Sequence, residues 1–220
     1  MTIRFLGSTS GYVELDAPST AGNNLLVLPT SNGSSRQTLM TDGSGALSWA
    51  WAGGSLFYRL NSALAGANGT SAQSIFGIAP LLASNTVYDF EMAVTLEKTA
   101  GATSHTIGLS FGGLATLNNI FYQVLGTAAT VANPSITVPT VFTTVSTASN
   151  TVLTAALASA TSNLRTYIRG SVSINAGGNF IPLYTLSAAP GGAYSTAAGS
   201  FMRLTPIGAS GSNSSQGAWS

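Results

Sequence analysis

The 220-residue chain contains no cysteine, one histidine and very little charge: seven Lys+Arg against six Asp+Glu, 6% of residues where about 25% is usual. Without cysteine there can be no disulfide framework, no thiolate nucleophile and no sulfur-ligated metal. Without a second histidine, ordinary near-neutral proton shuttling would fall on His105 alone. A net charge of +1 and the lack of any Lys/Arg cluster make nucleic acid and anionic membrane poor partners. No apolar run approaches the roughly 20 residues a transmembrane helix needs. The N-terminal MTIRFLGSTSGYVELDAP lacks the hydrophobic block of a signal peptide, so export by the standard secretory route is not expected.

Ser, Thr, Asn, Ala and 25 Gly take the place of the missing charge. A surface of small neutral side chains suits protein–protein contact, because few ions must be desolvated when it is covered. Assembly is therefore the expected use of this composition.

The pattern along the chain is β throughout. In 1–54, TIRFLG, YVELDAP and NNLLVLPTSNG are three candidate strands, with Pro29 closing the third because it supplies no ladder donor. A hairpin is expected from 37–41 against 46–51, turning at Asp42-Gly43 and Ser44-Gly45. Trp49 and Trp51 then share a strand face, placed either to seal a junction with the main domain or between subunits, or to form the hairpin's own core. So few short strands cannot bury much alone.

From 55 to 207 a larger all-β domain is expected, an antiparallel sandwich of roughly eight to ten strands with jelly-roll-like winding. TVYDFEMAVTLEK (86–98) is the clearest strand, with Tyr88, Phe90, Met92, Val94 and Leu96 on its apolar face. TSHTIGLSF puts His105, Ile107, Leu109 and Phe111 on one face, which makes His105 structural. LNNIFYQVLG, SITVPTVFTTV, NTVLTAAL, NLRTYIRGSVSIN, NFIPLYTLSA and SFMRLTPI follow, and 175–179 (NAGGN) is expected to close a hairpin. TVLTAALASATSN permits either a short helix or a strand and loop. The remainder, 208–220, is a small polar tail whose penultimate Trp219 is expected to dock on a surface.

Candidates for chemistry are few. Asp89 and Glu91 share a strand face at roughly 6–7 Å, a spacing that admits a glycoside-hydrolase acid pair but more commonly marks a solvated or interfacial face. No GxSxG elbow accompanies His105, and no phosphate-binding loop or calcium loop is present in the sequence. No catalytic residue, metal or cofactor is predicted, and the protein is not expected to be an enzyme.

Two stretches carry a resemblance. FLGSTSGYVELDAPSTAGNNLLVLPTSNG followed by LMTDGSGALSW resembles a segment of structural proteins of tailed bacteriophages, marine and cyanobacterial ones in particular, where it introduces fibre or decoration modules. The similar positions are 7–11, Leu15, Ala17-Pro18, Ala21-Gly22, 26–29 and 39–49. FYRLNSALAGANGTSAQSIFG, KTAGATSHTIGLSFGGLATLNNI and RGSVSINAGGNFIPLYTLSAAPGGAYSTAAGS are similar to modules of the same virion proteins. Leu25-Leu26-Val27-Leu28 departs from the polar–apolar alternation commoner there, which implies tighter packing of the arm.

The resemblance implies a virion exterior protein, self-associating as a homotrimer and contacting the major capsid protein or other virion proteins. A capsid decoration or cement protein fits one short arm and one compact head. A tail fibre or receptor-binding tip contacting a host-surface glycan is the alternative. On the first reading Phe5, Leu26, Leu28, Trp49 and Trp51 form the assembly interface. Surface recognition is expected from Asn68 in loop 66–71, Tyr194 in loop 188–200, and Trp219.

Overall fold

A computed structural model describes residues 3–16, 18–20, 22–33, 37–41, 44–51, 54–130 and 141–211. The chain divides into two compact units, Met1–Gly54 and Ser55–Ser220.

The first unit holds two hairpins. β1 (Ile3–Leu6) pairs with β2 (Tyr12–Leu15), so that Ile3 faces Leu15 and Phe5 faces Val13. β3 (Gln37–Thr41) pairs with β4 (Leu47–Trp51) in the register read from the sequence, Leu39 opposite Trp49. The Asp42-Gly43 turn lies outside the described residues. The expected third strand does not form: only Val27 makes a bridge, parallel to Ala46, closed by Val27 N to Gly45 O (2.9 Å) and Leu47 N to Val27 O (2.8 Å). Pro29 removes the donor that would extend the ladder.

The second unit is all-β, built from several antiparallel sheets in a sandwich-like arrangement. Its short strands are β5 (Leu56–Arg59), β6 (Leu64–Ala65), β7 (Gln73–Ser74) and β8 (Leu81–Leu82). The long ones begin with β9 (Thr86–Lys98), β10 (Ile107–Gly112) and β11 (Thr116–Ala129). β12 (Val141–Val145), β13 (Thr151–Val152) and β14 (Ser162–Ala176) follow. β15 (Gly178–Asn179), β16 (Ile181–Leu186), β17 (Ser195–Thr196) and β18 (Phe201–Ala209) complete the unit.

The larger sheet runs β12-β11-β14-β9, and β9 then pairs along its other edge with β18 and β17, which carry β5 and β6. The smaller sheet runs β13-β10-β16-β7. Alternation explains the core: Tyr88, Phe90, Met92, Val94 and Leu96 of β9 are buried with Ile168, Val172 and Ile174 of β14 and with Ile107, Leu109 and Phe111 of β10. At the centre the Phe111 and Phe180 rings stack at 4.9 Å. Gly170 keeps to the buried side of β14 because a Cβ there would stand 2.1 Å from the Phe121 carbonyl oxygen and 2.5 Å from the Tyr122 Cβ.

Two expectations are corrected here, and the open choice at TVLTAALASATSN falls to strand and loop. The 175–179 segment does not close a hairpin: β16 pairs with β10 and β7 in the smaller sheet, while both edges of β14 are already taken by β11 and β9. TVLTAALASATSN forms no helix; it gives β13 and a bridge from Leu157 to His105. β18 continues through Ala209, past the expected end of the domain at 207, because Ala209 still pairs with Thr86.

Candidate functional site

In the first unit, the register of β1 and β2 gathers Ile3, Phe5, Val13 and Leu15 on one hairpin face. The opposite face carries an Arg4–Glu14 ion pair, with the Arg4 guanidinium 4.2 Å from the Tyr12 ring centroid. Ion pairing satisfies the charged side; among the described residues of this unit, none covers the apolar one. Ile3, Phe5, Leu6, Tyr12, Val13, Leu15 and the whole Leu25–Leu28 run are 52–79% exposed. Phe5, Leu26 and Leu28 thus lie in the open.

Trp49 behaves differently. Its ring is half-buried against its own unit: Nε1 donates to the Ser31 carbonyl at 2.6 Å. Gly33 adopts φ +69° beneath it, where a Cβ would meet the indole at 2.6 Å. Trp49 therefore braces the 29–33 turn against β4. Trp51 continues the ladder opposite Gln37, but its side chain lies outside what is described, as does Trp219 in the tail.

The outer loops of the second unit are stitched together. Gly66 N donates to Tyr194 O (2.8 Å), Ala67 N to Gln73 Oε1 (2.5 Å), and Gly191 N to Asn68 Oδ1 (3.0 Å). Asn68 is exposed at this seam, so the two loops singled out from sequence meet there. Tyr194 is a correction: it is fully buried and offers nothing to an external ligand. Its hydroxyl lies 2.8 Å from His105 Nε2, while His105 Nδ1 lies 2.7 Å from the Thr103 carbonyl. A carbonyl only accepts, so Nδ1 carries a proton, and Nε2 shares a hydrogen bond with the Tyr194 hydroxyl. His105 is a structural residue with both ring nitrogens hydrogen-bonded.

Beside this pair sits Lys98, buried at the end of β9. Its Nζ donates to the carbonyls of Gly101 (2.6 Å), Ser159 (2.5 Å), Ala160 (3.2 Å) and Ala100 (3.3 Å), and lies 5.8 Å from the Tyr194 ring centroid. Burial pushes its ammonium below the ordinary lysine range. Reading the sequence alone misses this clasp, since a lysine ending a strand ordinarily reads as solvated.

Burial also pushes the Tyr184 and Tyr194 hydroxyls up to about 12. In the unfolded chain they ionise near pH 10. Their contribution to stability is thus complete below pH 10 and is lost as pH rises through about 12. Alkaline titration followed by tyrosinate absorbance and circular dichroism together is expected to show these tyrosines ionising only as the fold opens. Early ionisation with the fold intact would refute their burial.

Asp89 and Glu91 do share the outer face of the large sheet. Glu91 pairs with Arg203 and accepts from the Tyr167 hydroxyl, and Asp89 lies 3.9 Å from Arg169. Each carboxylate thus has an arginine from a neighbouring strand beside it. Among the described residues, no group of three His, Asp or Glu side chains gathers to hold a metal, and no helix is long and apolar enough to cross a membrane. Comparison with protein-family models, with curated proteins and with solved structures finds no match.

Proposed function

We propose that the chain is a structural protein of a tailed-phage exterior, a capsid decoration protein whose N-terminal unit attaches to the shell and whose β domain is displayed. One observation carries this reading: among the described residues of the first unit, most large apolar side chains are exposed. A two-stranded hairpin is marginal by itself, so this unit gains stability when another surface covers it. Phe5, Leu26 and Leu28 are the anchors, with the major capsid protein or other virion proteins as the surface. The phage-like motifs in the same segment support this assignment.

The same proposal includes a jelly-roll-like winding of the β domain. It draws on the repeated crossings between sheets, from β9 to β10, back to β11, and from β14 to β16. A second reading, a tail fibre or receptor-binding tip contacting a host glycan, draws on exposed Asn68 at the stitched loops.

Counting copies in purified virions separates the two. A number comparable to that of capsid subunits supports decoration; a number no larger than a tail carries overturns it. Phe5→Ala in the full chain tests the arm. About half of the ring remains to be covered, so roughly 1–2 kcal/mol of contact is removed and rebinding to stripped particles weakens about tenfold. Unchanged rebinding would contradict anchoring through this hairpin.

A further inference from the structure

The outer face of the large sheet is more apolar than a solvated antiparallel sheet face. Pairing aligns one row across five strands: Phe201, Ala93, Tyr167, Leu125 and Phe142. Tyr167, Leu125 and Phe142 are 42–72% exposed; exposed Phe57 lies one row on, opposite Arg203, and exposed Phe121 two rows on, opposite Ser171. The Phe57 and Phe201 rings meet at 5.7 Å. A shallow groove of about 560 Å³ runs beside Tyr167 and Leu125 towards Gly199.

The adjacent row is ionic: Arg203, Glu91 and Arg169 follow one another across β18, β9 and β14. With Asp89, two arginines face two carboxylates, and the row is neutral within itself. The face also carries Arg59 opposite Phe201, Arg165 opposite Thr95, and Glu97, so charges of both signs are interspersed over it. Such a face matches a rotated copy of itself, because Arg169 at 3.9 Å from Asp89 can also serve a carboxylate across an interface, and charges already paired lose less on desolvation.

Size points the same way. With β5 included, six strands at about 4.8 Å spacing and four residue rows span roughly 24 by 20 Å in projection, and projecting side chains enlarge this. That is about 480 Å² before side chains are counted, and with them it approaches the roughly 600 Å² per partner of the smaller specific interfaces.

We infer that this face is where copies of the chain associate with one another, stripe against stripe, around a closed symmetry axis. The inference concerns the β domain and stands or falls separately from the anchoring role of the arm.

Sedimentation of the full chain is expected to show a closed oligomer. Leu125→Glu combined with Phe142→Glu, both on the exposed side, is expected to give a single-chain species with an unchanged circular-dichroism spectrum. A second measurement covers misfolding of that variant. The chain has no cysteine of its own, so Leu125→Cys, Phe142→Cys and Leu114→Cys each report one site with a maleimide reagent. Leu114 is 81% exposed in the turn before β11. Labelling at 125 and 142 is expected to be at least about tenfold slower than at 114 and to equalise in denaturant, since interface cores exclude water. A monomeric wild type, or equal labelling rates in the native protein, overturns the inference. Phe5→Asp leaves the oligomer intact in this account; dissociation by Phe5→Asp with persistence in the Leu125→Glu/Phe142→Glu chain would shift self-association to the arm and refute it.

Discussion

Phe90→Ala is expected to destabilise the β domain by about 3–5 kcal/mol, the range for emptying a closed aromatic site. Phe90 is 1% exposed. Its ring lies 5.4 Å from Phe111, 6.1 Å from Phe180 and 6.2 Å from Tyr122, centroid to centroid. These neighbours come from β10, from the residue before β16 and from β11, so one side chain joins both layers. Phe111 and Phe180 are stacked on each other, and Tyr122 is held beside Gly170; none can swing into the vacancy without breaking its own packing. Collapse is therefore limited and the cavity cost stays. For a domain of this size, the change lowers the melting temperature by about 10 °C. Leu114→Ala, in an exposed turn, serves as the control and should move stability by less than about 0.5 kcal/mol. Equal effects at the two positions would mean that Phe90 does not occupy the centre of the core.

Much of that core was legible because a period of two is a local property. Tyr88 to Leu96 alternate with Asp89 to Glu97, and β9 spans the residues the alternation marked. The same holds for Ile107, Leu109 and Phe111, and for the β3–β4 register. What escaped depends on neighbours distant in sequence. NAGGN looks like a hairpin turn, yet β14 has no free edge to accept the next strand. Tyr194 sits in a glycine-rich loop and looks exposed, but its partner His105 is 89 residues away. The ionic row beside Tyr167 exists only because β18 and β14 flank β9 in one register; no spacing within a strand announces it. For the arm the difficulty is reversed. Leu25–Leu28 reads as a strand from its apolar content, while the structure leaves it largely outside a ladder and exposed. Apolar content there speaks of contact with another surface more than of secondary structure.

Lys98→Met is the second large expected effect, a loss of about 2–4 kcal/mol. Two opposing terms decide it. Burying an ammonium costs several kcal/mol even after relaxation, and methionine removes that cost. Against this, Lys98 is the only donor group that its carbonyl cage receives from this side chain position, and each hydrogen bond from a charged donor contributes about 1.5–3 kcal/mol. Methionine fills a similar volume but leaves the oxygens of Gly101 and Ser159, now 2.6 and 2.5 Å from Nζ, without that donor. Removing one side of a buried polar set is costlier than replacing both, so the loss outweighs the relief. The damage should be local first. Lys98 ties 100–101 to 159–160, and Gly101 packs within a few ångströms of Gly191, so faster hydrogen exchange is expected through 99–104 and 157–162 before the sheets respond. Rising pH should widen the gap between wild type and variant. With its native pKa lowered, Lys98 gives up its proton in the folded protein at a pH where the unfolded chain still keeps one. That linkage favours the wild-type fold as pH rises, while methionine has no proton to lose and gains nothing from it. A variant as stable as wild type at neutral pH, with unchanged exchange in both loops, would show that the four carbonyl contacts no more than balance the cost of burying the charge.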